Sequence, residues 1–172
     1  MESKGIIRRI DELGRIVIPR EYRKLHGIEL GDPIEICAYA DGEIRLKKVD
    51  TSGSLVKNST KTLSLLAQTL DCTVLLTDGK TFVDGYGKKK SEFLGEVVEK
   101  WISKTVKDRG KITLKEGESK LCGEGEIVLV NSIHSNGELY GGLVVIIESS
   151  KASAIAVVDF CALNLANNAQ RY

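Results

Sequence analysis

The chain of 172 residues has few of the side chains that hold metals or form disulfide frameworks. Its four cysteines, Cys37, Cys72, Cys122 and Cys161, lie far apart and form no Cys-x-x-Cys pair. Only two histidines accompany them, so the sequence argues against a zinc cluster. Scattered single cysteines are typical of a reducing compartment. We therefore expect no metal, no cofactor and no stabilising disulfide.

The sequence also shows no signal for export or for membrane insertion. A charged residue, Glu2, follows the first methionine, which argues against a signal peptide. We see no apolar run that approaches the roughly 18 residues needed to cross a bilayer. We expect a cytoplasmic protein without a membrane partner.

The whole chain has almost no excess of either charge sign, since its net charge is +1. Cations are nevertheless concentrated at its start. Residues 1–24 carry seven cations and four anions, a difference of +3. The cations are Lys4, Arg8, Arg9, Arg15, Arg20, Arg23 and Lys24. Arginine predominates, and its planar guanidinium suits phosphates and guanine edges. This cluster is either a nucleic-acid surface or an ordinary solvated face, and the arginine excess favours the first.

The first 50 residues are predicted to form one short helix and four strands. Pro19 fits the first position of a helix over Pro19–His26, and Gly27 fits its end. Asp41-Gly42 is a hairpin signal. β-branched or alternating residues predict strands at 5–11, 14–18, 33–40 and 43–49. A unit this small rarely buries enough apolar surface alone. We therefore expect it to be an obligate, intertwined dimer.

A small polar segment at 51–54 is predicted to link this unit to a second one, residues 55–172. Hydrophobic periodicity predicts helices at 54–70, from Ser91 to Gly110, and at 151–170. Hairpins are predicted around Asp78-Gly79 and Asn136-Gly137. The second unit is thus α+β with an antiparallel sheet. Its last helix is apolar on nearly every face, which predicts contact with a partner helix.

The residues of the first unit resemble the AbrB-type swapped-hairpin DNA-binding domain. The resemblance rests on residues 5–19, GIIRRIDELGRIVIP, and continues through Glu21–Lys24, Gly27-Ile28, Gly31–Ile36 and Ile44–Lys48. It covers about the first 50 residues and implies a swapped-hairpin β-barrel dimer with domain limits of 1–50. It also implies that DNA is contacted by Arg8, Arg15, Arg23 and Lys24, with Arg9 in the neighbouring basic position.

The layout of the whole chain is similar to that of sporulation regulators in which a GAF-like module follows the AbrB-type domain. This resemblance implies an α+β GAF-like sensory or assembly domain at 55–172. It further implies a homotetramer built through GAF helices. The expected function is a DNA-binding transcription regulator, an activator or a repressor, that acts at the nucleoid of the developing forespore on double-stranded DNA.

A GAF-like fold also implies a small-molecule pocket between the sheet and its covering segments. We expect those segments to include 82–90 and 115–125, with Tyr86, Cys122 and Asn131 as lining residues. An unidentified ligand is one interpretation, and a pure dimerisation platform is the other. Trp101 on the helical stripe is predicted to be core.

Two other functions remain open at this point. Swapped-hairpin proteins also serve as antitoxins, although those usually end in a disordered acidic tail and this chain ends in a predicted helix. Some GAF proteins reduce methionine sulfoxide with cysteines, but no local cysteine pair supports that here. Catalytic motifs are weak: Gly79-Lys80-Thr81 lacks the glycine that a phosphate-binding loop needs five residues earlier, where Val74 stands. We expect no enzyme activity.

Overall fold

The structure of the protein is a computed structural model that describes residues 5–49 and 51–169. The sequence predictions for Lys4, Asp50 and Gln170 lie outside these residues. The chain divides into two compact units, Met1–Val49 and Asp50–Tyr172, and each is described separately.

The N-terminal unit contains one helix and one hairpin. Helix α1 (Arg20–Leu25) follows Pro19, and Gly27 with φ +60° ends the turn after it. Strands β1 (Ile34–Ala38) and β2 (Ile44–Lys48) pair antiparallel. The N–H of Tyr39 donates to the carbonyl of Glu43 at 2.9 Å, which closes the hairpin over Gly42 at φ +88°. The predictions for this helix and this hairpin are confirmed.

The two strands predicted at 5–11 and 14–18 are not formed within one chain. Their backbone has no strand assignment, although the turn between them is present. In that turn the N–H of Asp11 donates to the carbonyl of Arg15 at 3.1 Å, and Gly14 has φ +75°. A strand requires a neighbouring strand for its main-chain hydrogen bonds. No such neighbour lies among residues 5–49 of the single chain.

No residue of the described range 5–49 is buried. Twelve large hydrophobic residues in this range are instead exposed, among them Ile7 at 95% and Leu30 at 92%. The others are Ile6, Ile10, Leu13, Ile16, Val17, Leu25, Ile36, Tyr39, Ile44 and Leu46. A single copy of this unit therefore has no hydrophobic core of its own.

The C-terminal unit is a five-stranded antiparallel sheet with helices on both faces. Its helices are α2 (Thr51–Leu70), α3 (Lys90–Phe93), α4 (Lys100–Lys107) and α5 (Ile155–Ala169), the last preceded by a 3-10 segment at Ser149–Ala154. Its strands are β3 (Thr73–Thr77), β4 (Phe82–Tyr86), β5 (Lys111–Lys115), β6 (Glu126–Ser135) and β7 (Glu138–Glu148). The order across the sheet is β4-β3-β7-β6-β5. The α+β fold class is confirmed.

Alternation along the strands divides the core of this unit between the two faces. Residues such as Val74 and Leu76 face α2 and α5, whereas Leu75 between them faces α4. The predicted stripe of α2 is buried against the first face through Leu55, Leu63 and Leu66. Ala162, Ala166 and Ala169 of α5 are buried on the same face. Small residues on α5 thus allow close approach of α2 in the same chain, which provides one partner for the apolar last helix.

The prediction of one helix from Ser91 to Gly110 is wrong. The chain leaves α3 at Leu94 and enters α4 only at Lys100, and Gly95 between them has φ +87°. The N–H of Gly95 donates to the carbonyl of Phe82 at 2.8 Å, and Phe82 N–H donates to Glu96 at 3.0 Å. The segment therefore pairs along the outer edge of β4 instead of continuing the helix. Val97 of this segment is 78% exposed.

Three smaller predictions also need correction. Residues 51–54, predicted as a linker, form the first turn of α2. Strand β5 pairs with β6 ahead of the predicted loop and was not foreseen. The last helix begins as the 3-10 segment, in which Lys151 has a non-helical backbone, and α5 starts at Ile155.

We expected no segment long and apolar enough to cross a membrane. By length and composition alone, this expectation is wrong. Ser149–Ala169 passes that test, with a mean hydropathy of 1.2 over 18 residues. Core helices of soluble proteins also meet these criteria of length and hydropathy. Here Val158, Leu165 and Ala166 pack on the sheet and α2, and Asp159 forms polar contacts with the sheet.

Candidate nucleic-acid interface

Arg15 is held by the turn that connects the two N-terminal segments. Oδ1 of Asp11 accepts the main-chain N–H groups of Leu13 at 3.0 Å and Arg15 at 2.8 Å. Oδ2 of the same carboxylate accepts Nε–H of Arg15 at 2.8 Å. The Arg15 side chain remains 71% exposed. The guanidinium is therefore oriented by one carboxylate and still accessible to a ligand.

The main-chain N–H of Arg15, followed by its guanidinium, holds the pKa of Asp11 below its usual value. The carboxylate is thus ionised at neutral pH, which keeps its attraction for Arg15. This pair is exposed, so its effect is on side-chain orientation more than on stability.

Helix α1 carries the remaining predicted DNA-contacting residues. Lys24 is exposed, whereas Arg23 is half-buried and its Nε is shielded from solvent without a hydrogen-bond partner among the described residues. The end of the helix is anchored by Lys48, whose Nζ donates to the carbonyl of Gly27 at 2.6 Å. The position of Arg23 and Lys24 relative to the hairpin is therefore defined.

The other predicted cations of this surface are Arg8 and Arg9. Both are exposed on the segment just before the Asp11 turn. Within residues 5–49 and 51–169, neither forms an ion pair. All five predicted residues lie in the N-terminal unit, and four of them are open to solvent. Their charge is thus available to an anionic partner.

The three predicted ligand residues do not form one pocket. Tyr86 lines a cavity of about 350 Å³ beside the end of α2, with Cys72, Thr73 and Lys89. Asn131 lines another cavity, of about 240 Å³, between β5, β6 and α5. Cys122 lines neither and packs against the core on the α4 face. The structure places Tyr86 on β4, Asn131 on β6 and Cys122 in the segment before β6, so it does not bring the three side chains together in either cavity.

Side chains occupy the space between the sheet and the covering segment at 116–125. Leu121 of that segment is 4% exposed and joins a cluster with Phe82 and Ile102, against which Trp101 packs. Glu99 ties the segment down by accepting from Ser119 Oγ at 2.9 Å and Lys120 N–H at 3.1 Å. Trp101 packs against this core cluster but is only half-buried, and its Nε1–H donates to Oε2 of Glu99 at 2.8 Å.

Cys122 lacks the environment of a reactive thiol. Its Sγ donates to the carbonyl of Glu126 at 2.9 Å. Burial, followed by the nearby charges of Glu126 and Glu116, raises the pKa of this thiol. Redox cysteines require a lowered pKa. Within the described residues, no group of three His, Cys, Asp or Glu side chains could hold a metal ion.

Sequence reasoning missed three residues that organise these regions. Asp11 lies four residues before Arg15, a spacing that the sequence shows without indicating that the two side chains pair. Lys48 contacts Gly27 from a distant position in the sequence, for which no local signal exists. Asp159 accepts from Asn131 at 2.7 Å and from Lys111 at 2.6 Å, across elements far apart in the chain.

The fold and the basic surface define a protein of two units, a basic N-terminal unit and an α+β C-terminal unit built on an antiparallel sheet. Residues 7–54 match the family described as antidote-toxin recognition MazE, bacterial antitoxin. Residues 55–168 match the family described as stage V sporulation protein T C-terminal, transcription factor. The chain belongs to the stage V sporulation protein T family and is a transcription regulator of sporulation.

Relatives support this assignment over most of the length. Stage V sporulation protein T of Bacillus subtilis is 31% identical over 150 residues, which is 84% of each chain. The transition state regulatory protein AbrB of the same organism is 55% identical over 49 residues, 28% of this chain and 49% of AbrB. The antitoxin family matches the N-terminal unit only, so the antitoxin interpretation is not favoured.

A solved structure resembles a large part of this chain in fold alone. The type II free methionine-R-sulfoxide reductase of Thermoplasma acidophilum superposes with a TM-score of 0.52. It shares 11% identity and covers 72% of this chain and 96% of its own. Identity this low says nothing about a shared activity.

Proposed function

We propose that the protein regulates transcription by binding double-stranded DNA with two copies of the surface formed by Arg8, Arg9, Arg15, Arg23 and Lys24. The N-terminal residues 1–50 provide dimerisation and DNA contact, and residues 55–172 provide assembly, with 51–54 between them. The observation that carries the proposal is the exposure of twelve large hydrophobic residues in a unit that has no buried residue among 5–49.

We infer from that exposure that a second copy of the unit covers these residues. Each large apolar side chain that becomes buried contributes roughly 1.5–3 kcal/mol, so twelve exposed ones represent a large driving force for association. The segments 5–11 and 14–18 also lack strand partners in one chain, and a partner copy supplies them in an intertwined dimer. The dimer places two basic surfaces about a two-fold axis, which suits two half-sites on a duplex.

Binding by these cations is mainly electrostatic. Cations that neutralise phosphates release condensed counterions, so affinity falls as salt rises. For 6–10 phosphate contacts the expected loss is about 10³–10⁵-fold between 50 and 200 mM salt. The helix α1 has only six residues and reaches few base edges, so DNA shape contributes to specificity.

A second interface assembles dimers into a tetramer. The outer side of α5 exposes Phe160 at 67%, Leu163 at 63% and Val157 at 45%. Monomeric soluble proteins rarely expose a contiguous apolar patch of this kind. A second copy of α5 covers this face in our proposal, and the resulting tetramer holds two DNA-binding dimers.

Ligand sensing is a second candidate role, favoured by the cavity beside Tyr86. Its volume of about 350 Å³ falls in the range of small-molecule sites. Its lining combines Tyr86 and Thr73 with Lys89 and Glu126, which offers both donors and acceptors. We propose no enzyme activity, because the Cys122 thiol is not activated. We place the protein in the cytoplasm, at the nucleoid of the forespore, as activator or repressor.

Mobility-shift titration on promoter fragments across a salt series tests the proposal. We expect tight binding at low salt and its loss in Arg8→Ala and Arg15→Ala. Arg45→Ala is the matched control, because Arg45 is an exposed arginine of the same unit that stacks on Tyr39 and pairs with Glu43. Equal binding by wild type, Arg8→Ala and Arg15→Ala would remove the assigned surface.

Mass photometry tests the assembly. Phe160→Glu places a charge on the outer side of α5, and the expected product is a dimer that still binds one duplex. A wild-type monomer would contradict the N-terminal dimer. An unchanged tetramer in Phe160→Glu would contradict the α5 interface.

A further inference from the structure

We propose that Asp11 is a positioning residue that sets the DNA specificity of this protein through Arg15. Its carboxylate fixes the Arg15 guanidinium by Nε and leaves the terminal amino groups Nη1 and Nη2 for the DNA. This inference rests on the proposed DNA binding.

The two oxygens of Asp11 have separate tasks. Oδ1 accepts the main-chain N–H groups of Leu13 and Arg15 at 3.0 and 2.8 Å and so shapes the turn. Oδ2 accepts only the side chain of Arg15, at 2.8 Å from Nε. The main chain of Asp11 is itself fixed, because its N–H donates to the carbonyl of Arg15 at 3.1 Å. The carboxylate is therefore a rigid support for the guanidinium.

The orientation leaves the useful end of Arg15 accessible. A guanidinium has five N–H donors, and one of them is engaged by Asp11. The remaining four lie on Nη1 and Nη2 of a side chain that is 71% exposed. Two parallel N–H groups can contact O6 and N7 of guanine together, which is a geometry that reads sequence. A fixed side chain loses less conformational entropy when it makes this contact.

The negative charge of Asp11 also acts against indiscriminate binding. A flexible arginine neutralises whichever phosphate is nearest, and such contacts carry no sequence information. A carboxylate beside the guanidinium weakens the attraction for phosphate in general, which is a repulsive element of the kind that specificity uses. Asp11 therefore lowers affinity for unrelated DNA while it raises affinity for the preferred site.

The adjacent residue Glu12 provides a matched control. It is an exposed anion in the same turn, and no hydrogen bond or ion pair of its side chain is found among the described residues. Glu12→Gln and Asp11→Asn each remove one negative charge per chain. Asp11→Asn keeps Oδ1 as an acceptor for the turn, and only its contact with Arg15 Nε is lost. A difference between the two variants thus isolates the contact from the charge.

The experiment measures two dissociation constants for each full-length protein. One duplex is selected by the wild type from a random pool, and the other is an unrelated duplex of equal length. For Asp11→Asn we expect affinity for the selected duplex to fall about tenfold, within the range for one lost bidentate contact. Affinity for the unrelated duplex stays equal or rises, and Glu12→Gln keeps the wild-type ratio. The proposal is overturned if Asp11→Asn and Glu12→Gln show the same ratio of the two dissociation constants. It is also overturned if Asp11→Asn loses affinity equally for both duplexes.

NMR of the wild-type protein gives a readout that needs no variant. The Nε–H of Arg15 is expected to be protected from exchange in the free protein at pH 6 and to remain so on the selected duplex. An unprotected Nε–H overturns the inference even if Asp11→Asn fails to fold. Wild-type binding by Arg15→Ala would instead refute the proposed surface. Loss in Arg15→Ala with identical Asp11→Asn and Glu12→Gln refutes only the role of Asp11.

Discussion

Lys48 and Asp32 form an ion pair, with Nζ 2.6 Å from Oδ2, that joins the end of β2 to the turn after α1. The same ammonium donates to the carbonyl of Gly27 at 2.6 Å, and Oδ2 of Asp32 accepts the N–H of Glu29 at 2.7 Å. These contacts bridge the helix that carries Arg23 and the hairpin. In a unit without a core in one chain, such polar contacts define where the helix lies.

Replacement of Lys48 by methionine is expected to loosen α1. The pair is partly exposed, so we expect a loss of about 1 kcal/mol in local stability. Hydrogen exchange of residues 20–32 in the full-length protein measures it. Lys47→Met is the control, because Lys47 is exposed and the contacts with Asp32 and Gly27 are made by Lys48. Identical exchange in the two variants would show that the ion pair does not hold the helix.

Replacement of Gly141 by alanine is expected to destabilise the C-terminal unit strongly. Gly141 has φ +151°, and a Cβ there would lie 2.3 Å from the main-chain oxygen of Thr77. With this Cβ in place, β7 and β3 cannot both keep their positions. We therefore expect the free energy of unfolding to fall by about 3 kcal/mol or more. Thermal unfolding followed by circular dichroism tests it. Gly117→Ala is the control, since its positive φ is similar in kind but the surrounding space is open; equal melting temperatures would refute the steric argument.

Asp159 is expected to make the C-terminal unit sensitive to acid. The hydrogen bond from Lys111, followed by that from Asn131, lowers the pKa of Asp159. A lowered folded-state pKa contributes stability above the unfolded pKa of about 3.9, and this is lost as pH falls through the folded pKa. Asp159→Asn should therefore lower the free energy of unfolding by about 1–2 kcal/mol at pH 7 and by less at pH 3.

Urea unfolding at pH 7 and pH 3 checks this prediction. Asp108→Asn serves as control, because Asp108 is exposed and forms no ion pair within the described residues. The same pH dependence in Asp159→Asn and wild type would contradict the assigned cause.

Cys122 is expected to react slowly with iodoacetamide at pH 7.5. Burial is the largest cause that raises the pKa of this thiol, so little thiolate is present at that pH. Mass spectrometry after timed alkylation compares Cys122 in the native protein with Cys122 in the protein unfolded by urea, where we expect faster labelling because the thiol is no longer buried. Equally fast alkylation of Cys122 in the native and the unfolded protein would revive a redox interpretation.

Local signals predicted the elements that local chemistry governs. Asp41-Gly42, Asp78-Gly79 and Asn136-Gly137 each lie at a hairpin, where Gly42, Gly79 and Gly137 have positive φ. The stripe of α2 is buried as its period indicated. Turn residues and helical periodicity act over a few positions, so the sequence alone carries this information.

Predictions failed where distant parts of the chain compete for the same segment. The pattern from Ser91 to Gly110 has a helical period, yet the hydrogen bonds of Gly95 and Glu96 with Phe82 hold the middle of it at the sheet edge. Strand β5 exists because β6 offers it an edge. Long-range pairing therefore overrode local propensity in both places.

The sequence by itself determined the two-unit organisation, the basic residues of the first unit and the family to which the chain belongs. Tertiary structure decided how those residues are held and which predicted neighbours meet. It gave Arg15 a carboxylate support in Asp11 and separated Tyr86, Cys122 and Asn131 into different parts of the second unit. The reason is physical: residue type limits what a side chain can do, whereas the packing of strands and helices decides which groups lie within hydrogen-bond distance.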